Sequence, residues 1–276
     1  MLDEWWRAAV LGVIQALTEF LPISSSGHLV IAHEVLGEDE TPLTFDVGLH
    51  TGTLAAILVY FWSDWYEILR RTVLDVRGHR HHLGAWSLQA RLGTLIALAT
   101  LPAVVVGLLF GDVIEDRLRA PEVVASLLIA GAIAMAVLDR HGQERGLGQV
   151  GVLHALVVGS AQALALVPGV SRSGATISAA RGLGFARPDA ARFSFLLAAP
   201  ITLGAIVSEL GGAYSAEEHV EWGPLLLGSL VAFAVGLLVI RFLLRFLATR
   251  TLASFVWYRI ILGLGIFGAL ALGWQS

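Results

Sequence analysis

The residues with the clearest chemistry lie in two short polar stretches, QALTEFLPISSSGH at Gln15–His28 and PGVSRSGAT at Pro168–Thr176. Each stretch contains a helix-breaking proline, continues as Ser-x-Ser-Gly and then returns to an apolar run. Serine is a preferred N-cap, and the free N–H groups and positive dipole end of a helix N-terminus attract anions. Two such ends aimed at one small volume are therefore predicted to form a buried phosphate-binding pocket.

An arginine in the second stretch, Arg172, is the main candidate for phosphate binding. A charged side chain in the middle of a membrane costs about 2.5–3.5 kcal/mol on insertion scales, so it normally faces a partner or a wet cavity. The planar guanidinium is a fork of donors that suits a phosphate group. The alternative is a purely structural ion pair between Arg172 and Glu19.

Glu19 follows Gln15 by four residues, which places both side chains on one face of a helix. A carboxylate there is able to bind a divalent cation that bridges to phosphate oxygens, or to accept a proton. Gln15 and Glu19 are therefore predicted metal ligands, and Glu19 is also a predicted catalytic residue. A capping role for Glu19 and an interhelical hydrogen bond for Gln15 are the alternatives.

His28 lies three residues after Ser25 and four after Ser24, within reach along one helical turn. This spacing predicts a nucleophile and base pair, in which the imidazole takes the hydroxyl proton of Ser25 or holds a water. Ser25, His28 and Arg172 join Glu19 as the predicted catalytic residues. The alternative for His28 is an ordinary buried polar contact, and His50 is a weaker candidate for the same cavity.

The remaining polar positions of the two stretches offer hydroxyl groups or exposed backbone to a phosphate group. The predicted phosphate-binding residues are Ser24, Ser26, Gly27, Ser171, Arg172, Ser173 and Thr176. Gln162, which occupies in the second stretch the place that Gln15 has in the first, is interpreted as structural.

The composition places these stretches in an integral membrane protein. The chain has 276 residues, of which 56% are hydrophobic and 14% charged, against roughly 25% charged in soluble domains. A net charge of −4 without a basic run argues against nucleic acid as a partner, and the lack of cysteine excludes disulfides and thiolate chemistry. The first residues lack the basic region of a signal peptide, so the start is expected to be retained.

A spanning helix needs about 20 mostly apolar residues. Six segments qualify or nearly do: Phe45–Trp62, Leu92–Phe110, Val123–Leu138, Phe193–Ser208, Trp222–Ile240 and Leu252–Trp274. Two further apolar regions, Ala8–Leu36 and Val150–Gly184, are interrupted by the polar stretches and are predicted to be re-entrant helix–loop–helix hairpins. The predicted fold is an all-α polytopic membrane protein forming a single domain over residues 1–276.

The two halves of the chain repeat one another. A shift of 147 positions pairs Gly12 with Gly159, Gln15 with Gln162, Ser24 with Ser171 and Ser26-Gly27 with Ser173-Gly174. Chance identities between small residues are the alternative, but the glutamine and the Ser-x-Ser-Gly fall in register. The sequence therefore predicts two repeats, at about residues 1–138 and 150–276.

The placement of arginine, which supplies all eighteen positive charges, predicts the orientation. Arginines crowd alternate loops and acidic residues occupy the opposite ones, so both termini and the mouth of the pocket are expected on the outer face. Arg259 is counted among the inside-loop arginines, and Arg172 is then the one arginine within a membrane segment. The two hairpins enter from opposite faces, which makes the repeats inverted in topology.

The two polar stretches resemble the motifs of the undecaprenyl-pyrophosphate phosphatases, also called bacitracin-resistance proteins, and the resemblance covers essentially the whole chain. It implies a hydrolase of the bacterial inner membrane that removes the terminal phosphate of undecaprenyl pyrophosphate with Mg2+ or Ca2+. This reaction recycles the lipid carrier of cell-wall synthesis. Glu19 and Gln15 match the acidic motif, Ser25 and His28 the catalytic serine and histidine, and Arg172 the phosphate-binding arginine.

Several alternatives stay open at this point. Many members of that family have glutamate where this chain has Gln15, which weakens a mechanism that needs two carboxylates on a metal. Inverted repeats with broken helices are also typical of secondary transporters and lipid flippases, and a dual enzyme and flippase is a third option. The sequence does not choose between a serine nucleophile and an activated water, nor between a monomer and a homodimer.

Overall fold

The structure, a computed structural model, describes residues 2–25, 27–28, 43–79, 85–140, 144–215 and 222–273. Within these ranges the secondary structure is helical, apart from a single β-bridge between Arg145 and Phe185. The α-helices are α1 Leu2–Phe20, α2 Leu43–Tyr60, α3 Trp62–His79, α4 Leu88–Arg117, α5 Pro121–Leu138, α6 Val152–Leu164, α7 Arg172–Gly182, α8 Arg187–Ser215, α9 Trp222–Thr249 and α10 Ala253–Ala271. A short 3₁₀ turn, Leu147–Gln149, precedes α6.

In the part of the chain that the structure describes, five helices are long and apolar enough to cross a membrane. These spans are Leu88–Gly111, Pro121–Leu138, Arg187–Ser208, Trp222–Thr249 and Ala253–Ala271, and they coincide with five of the six predicted ones. The sixth, predicted at Phe45–Trp62, is helical as α2 over Leu43–Tyr60, and Gly48–Tyr60 is the apolar part of it that the structure describes. The prediction of an all-α polytopic membrane protein is confirmed.

The outer surface of the bundle is apolar, as expected for helices that face lipid. Large side chains such as Leu108, Leu238 and Ile261 are more than half exposed on three of the spans. In α8 most of the spanning segment is instead buried inside the protein. It packs against α2, α4, α7 and α9, so it is the central helix against which the two polar stretches are built.

Several helix pairs approach so closely that only glycine fits between them, and two of these pairs show the geometry. A Cβ atom on Gly12 of α1 would lie 2.3 Å from the carbonyl oxygen of Gly228 in α9, and one on Gly159 of α6 would lie 2.2 Å from that of Ala99 in α4. Small residues allow this backbone contact between membrane helices. Each pair joins a helix from one predicted repeat to a helix from the other, although the repeat boundaries and their inverted orientation stay predictions.

The two polar stretches form sharp turns, here called the first tip (residues 21–28) and the second tip (residues 165–174). Ser24 and Ser171 have φ angles of 79° and 72°, and among the described residues they are the non-glycine positions with positive φ. Such backbone costs on the order of 1–3 kcal/mol and persists only where the surroundings enforce it, often at functional sites. The tips are therefore held under strain by tertiary contacts.

The structure describes the two predicted hairpins to different extents. The second hairpin is confirmed as helix, turn and helix, with the tip between α6 and α7. In the first, α1 leads into the tip and helical structure resumes at Ser25, Gly27 and His28. Residues 29–36 and Ser26 lie outside the described residues, and re-entry on one side of the membrane stays a prediction for both hairpins.

A buried carboxylate fixes the far end of α7. Asp139, directly after α5, accepts hydrogen bonds from Arg181 Nε at 2.9 Å, from Arg187 Nε at 2.7 Å and from the Leu252 backbone N–H at 3.1 Å. These partners lie at the end of α7, the start of α8 and the start of α10. The single carboxylate therefore ties four helices together, so that α7 presents its other end, the second tip, at a defined position.

Candidate functional site

The two tips meet directly. Ser173 Oγ, in the second tip, donates to the carbonyl oxygen of Leu21 in the first tip at 3.0 Å. Arg172 crosses the same boundary to the carboxylate of Glu19, at the end of α1. The prediction that the two serine-bearing ends share one volume is thus realised in the structure.

The Glu19 carboxylate is the hub of this volume. Its Oε1 atom accepts from Arg172 Nε at 3.2 Å and from Arg172 Nη2 at 3.0 Å. Its Oε2 atom accepts from Ser25 Oγ at 2.9 Å and lies 3.7 Å from His50 Nε2. Glu19 is only 7% exposed, so this buried charge depends on its partners. The carboxylate therefore links the guanidinium of Arg172 to the hydroxyl group of Ser25.

The Arg172 guanidinium is oriented from behind by α8. Its Nη1 atom donates to the Ser194 carbonyl oxygen at 3.3 Å. The Ser194 hydroxyl is 2.6 Å from the hydroxyl of Thr176, which also donates to the Arg172 carbonyl oxygen at 2.8 Å. Ser194 therefore contacts the guanidinium directly and the backbone of Arg172 through Thr176. The sequence analysis did not identify Ser194, because a lone serine in an apolar span has no motif around it.

The cluster is open on one side. Ser25 is partly exposed and the His50 side chain is 26% exposed, whereas the side chains of Arg172 and Glu19 are 13% and 8% exposed. An incoming anion would therefore pass Ser25 and His50 before it reached the arginine. The weak prediction that His50 lines the cavity is consistent with this position.

The contacts of His28 differ from the predicted pair. Its Nδ1 atom lies 2.6 Å from the Ser24 carbonyl oxygen and its Nε2 atom 2.6 Å from the Tyr258 hydroxyl, while the Ser25 hydroxyl donates to Glu19. The ring nitrogens of His28 therefore bond to groups other than the Ser25 hydroxyl, and the prediction that imidazole takes the Ser25 proton or holds a water stays a prediction. The turn at Ser24 directs the ring toward α10 and the hydroxyl group toward α1, which sequence spacing alone does not reveal.

The hydroxyl groups of the second tip are used to build it. Ser171 Oγ caps α7 by accepting from the Gly174 N–H at 3.1 Å, and Ser173 makes the contact between the tips. Thr176 is fully buried against Ser194, so its predicted role of contacting phosphate is not supported by its position. Of the first-tip positions, Gly27 is buried and Ser26 lies outside the described residues. Arg172 is therefore the side chain of the second tip best placed for an anion.

The two repeated glutamines, Gln15 and Gln162, are both buried. Both amide atoms of Gln15 and of Gln162 lack a hydrogen bond within the described part of the chain. Buried amides are normally bonded, and an amide oxygen is able to accept from water or to bind a cation. The oxygen of Gln15, four residues before the Glu19 carboxylate, is thus compatible with its predicted role as a metal ligand. Within the described ranges no group of three or more His, Asp or Glu residues is spaced to hold a metal.

Arg259 is a fully buried arginine whose position differs from the one predicted. Predicted to lie in an inside loop, it is fully buried within α10 and donates to the carbonyl oxygens of Leu127, Leu128 and Gly169. Gly169 belongs to the second tip, so the side chain of Arg259 links α10 to that tip. The positive-inside rule assigned Arg259 to a loop because arginines near the ends of apolar spans usually lie at the membrane boundary.

A groove opens beside the first tip, between α1 and α10. Its volume is about 740 Å³. The residues that line it are mostly apolar: Ile14, Leu17, Thr18, Leu21, Ile23, His28, Ser254, Phe255, Tyr258 and Leu262. His28 and Tyr258 lie at its polar edge, so the groove is suited to an apolar chain attached to a polar head.

The fold and the site together define a polytopic membrane protein with a largely buried cluster of arginine, glutamate and serine where two sharp turns meet. The chain belongs to the family described as bacitracin resistance protein BacA, whose profile matches residues 8–265. The resemblance seen in the two polar stretches is confirmed by this match.

Relatives in this family carry the name undecaprenyl-diphosphatase. The protein of that name from Alcanivorax borkumensis is 43% identical over 269 residues, covering 97% of this chain and 100% of the relative. The one from Renibacterium salmoninarum is 41% identical over 275 residues, covering 98% and 97%. That from Chromohalobacter salexigens is 44% identical over 264 residues, covering 95% and 97%. The similarity therefore extends over nearly the full length of both partners.

Proposed function

We propose that this protein is an undecaprenyl-diphosphatase, a membrane hydrolase that converts undecaprenyl pyrophosphate to undecaprenyl phosphate and inorganic phosphate. The names of its relatives support this activity. The observation that carries it is the Glu19 carboxylate, which accepts the Ser25 hydroxyl on one oxygen and the Arg172 guanidinium on the other. A nucleophile, a proton acceptor and a phosphate-binding cation are thereby within one cluster.

Substrate binding requires an exchange of partners at Arg172. In the structure two of its N–H groups donate to one oxygen of Glu19, and a phosphate group offers several acceptor oxygens with more charge. The terminal phosphate draws the guanidinium toward itself as it passes Ser25 and His50. Glu19 then loses part of its counter-charge, so its affinity for a proton rises at the moment when the base is needed.

The transfer step follows from the hydrogen bond between Ser25 and Glu19. The Ser25 oxygen attacks the terminal phosphorus, its proton passes to Glu19, and the bond from that phosphorus to the bridging oxygen breaks. Undecaprenyl phosphate leaves with the bridging oxygen, while Arg172 stabilises the charge on the transferred group. A water molecule then hydrolyses the phosphoserine, and inorganic phosphate departs.

The competing mechanism uses Glu19 to activate a water directly, without a covalent intermediate. Acid quench during turnover, followed by mass spectrometry of the peptide around Ser25, distinguishes the two. The serine mechanism predicts a phosphorylated peptide and a loss of turnover in Ser25→Ala. Turnover that persists in Ser25→Ala would establish the water mechanism instead.

We propose that a divalent cation acts at the same centre. Mg2+ is commonly held by one or two protein oxygens together with substrate phosphate oxygens, and Glu19 with the buried Gln15 amide supplies such a set. When bound there, the cation would neutralise phosphate charge. Phosphate release measured across a titration of chelator and then of Mg2+ or Ca2+ tests this requirement.

The groove between α1 and α10 is proposed to hold the isoprenyl units next to the pyrophosphate. Its apolar lining begins at the first tip, so a chain lying in it would deliver its head group to Ser25. We place the protein in the bacterial inner membrane with both termini and the pocket mouth outside. Because the chain has no cysteine, labelling of Arg117→Cys and Arg77→Cys in intact cells tests that sidedness; it predicts external labelling of the former alone.

The central experiment measures phosphate release by the purified protein from undecaprenyl pyrophosphate in the presence of Mg2+. Wild type is expected to turn over, and Arg172→Ala to lose at least about a hundredfold in kcat/KM. Arg70→Ala, an exposed arginine paired with Glu67 on α3, is the matched control and is expected to behave as wild type. A wild-type protein that releases no phosphate would favour the transporter or flippase alternative.

A further inference from the structure

Tyr258 of α10 makes a contact at the edge of the site that the proposed mechanism does not use. Its hydroxyl lies 2.6 Å from His28 Nε2, and the two rings stack with centroids 5.5 Å apart and planes 9° from parallel. The two residues are 230 positions apart in the chain. The contact joins α10 to the first tip across the polar edge of the groove.

The second contact of the imidazole fixes where its proton lies. A carbonyl oxygen only accepts hydrogen bonds, so the 2.6 Å contact between His28 Nδ1 and the Ser24 carbonyl requires a proton on Nδ1. In the neutral ring Nε2 is then an acceptor, and the Tyr258 hydroxyl is its donor. One hydrogen bond on each nitrogen leaves the ring a single orientation.

The Ser24 carbonyl belongs to the strained residue of the first tip. Ser24 has a φ of 79°, and the next residue, Ser25, places its hydroxyl on Glu19. A ring that holds this carbonyl therefore also holds the peptide that carries Ser25. The connected chain runs from the Tyr258 hydroxyl through the His28 ring to the Ser24 carbonyl, and from there to the Ser25 hydroxyl.

We propose that Tyr258 is a positioning residue, whose hydroxyl locks His28 with its proton on Nδ1 and so keeps Ser25 aligned with Glu19. The kinetic consequence rests on the proposed phosphatase function. His28 then acts on the reaction by holding the first tip, which explains its place in the motif although its ring nitrogens bond to Ser24 and Tyr258.

Tyr258→Phe tests the hydroxyl group alone, since phenylalanine keeps the ring stacking and the wall of the groove. The expected result is a fall of about tenfold in kcat, with KM within about twofold of wild type and an unchanged thermal midpoint. Tyr66→Phe, which removes the hydroxyl of an exposed tyrosine on α3, is the matched control and is expected to leave kcat unchanged. Full activity in Tyr258→Phe would overturn the proposal.

A double-mutant cycle with His28→Gln asks whether Tyr258 acts through His28. If it does, Tyr258→Phe changes kcat by less than about twofold in the His28→Gln background, although it costs about tenfold in wild type. Effects that multiply would show that Tyr258 acts independently of the ring, and the proposal would fail.

Nuclear magnetic resonance of isotope-labelled histidine nitrogens gives a readout that needs no turnover. Wild type is expected to show one pair of resonances, absent in His28→Gln, with a protonated Nδ1 and an unprotonated Nε2. Tyr258→Phe is expected to lose this single-tautomer pattern, and an identical pattern in the variant would contradict the proposal. If wild type released no phosphate, the proposed function would fail while this measurement still reported on the hydrogen bond.

Discussion

The carboxylate of Glu19 and the guanidinium of Arg172 lie 3.0 Å apart, although 153 residues separate them in the chain. Glu19 ends a helix of the first half and Arg172 begins a helix of the second. Because the pair is mostly buried, neither residue is stable in place without the other. This ion pair joins the two tips. In the proposed mechanism the substrate phosphate replaces Glu19 as the partner of Arg172.

Glu19→Gln is expected to abolish most activity while leaving the protein folded. Glutamine has nearly the same shape and its amide oxygen still accepts from Arg172, but it does not take a proton from Ser25. Loss of a general base typically lowers kcat by about 10²- to 10⁴-fold. Phosphate release measures this, with Glu67→Gln on the exposed face of α3 as the control. A variant within about tenfold of wild type would remove Glu19 from the base role.

Leu262→Trp is expected to impair the use of long-chain substrate specifically. The bulkier ring would fill part of the groove beside the first tip without touching Arg172 or Glu19. KM for undecaprenyl pyrophosphate should rise about tenfold or more, while KM for a short, water-soluble prenyl pyrophosphate changes little. Leu108→Trp, at an exposed position of α4, is the control. Equal effects on both substrates would argue against a chain in the groove.

Gly131→Ala is expected to destabilise the protein through Arg259. A Cβ atom at residue 131 would lie 2.2 Å from the Nη2 atom of that arginine, which is fully buried and donates to carbonyl oxygens of α5 and of the second tip. We expect a loss of about 1–3 kcal/mol, seen as a lower thermal midpoint in detergent. Gly265→Ala, where a Cβ atom meets open space within α10, should be neutral or slightly stabilising. Equal midpoints for the two variants would show that Arg259 is free to move.

Asp139→Asn is expected to lower the stability of the protein by weakening the contacts that join α5, α7, α8 and α10. The substitution leaves Arg181 and Arg187 without their shared counter-charge, and breaking a buried pair costs about 3–5 kcal/mol. Asp64→Asn, which removes a more exposed partner of Arg192, should cost less than about 1 kcal/mol. Thermal unfolding compares them, and a small effect at Asp139 would mean that the helix ends are held by packing instead.

Much of the site was predictable because its signals are local. Arg172 stands out as a charge in an apolar region, and Gln15 and Glu19 share a helix face by spacing alone. The Ser-x-Ser-Gly pattern predicted helix N-termini, and Ser171 does cap α7. Residues whose roles depend on a distant partner, such as Ser194, Arg259 and Tyr258, were not identified because no neighbouring residue in the sequence marks them.

The sequence by itself determined that this is an all-helical membrane protein with two polar, serine-bearing interruptions, since hydropathy and helix-breaking residues act over a few neighbouring positions. The tertiary structure decided which groups meet there. The Ser25 hydroxyl bonds to Glu19 and the His28 ring bonds to Tyr258, although His28 lies close to Ser25 in the chain. Partner choice depends on how separate helices pack and on the strained turn at Ser24, and neither is encoded in local spacing.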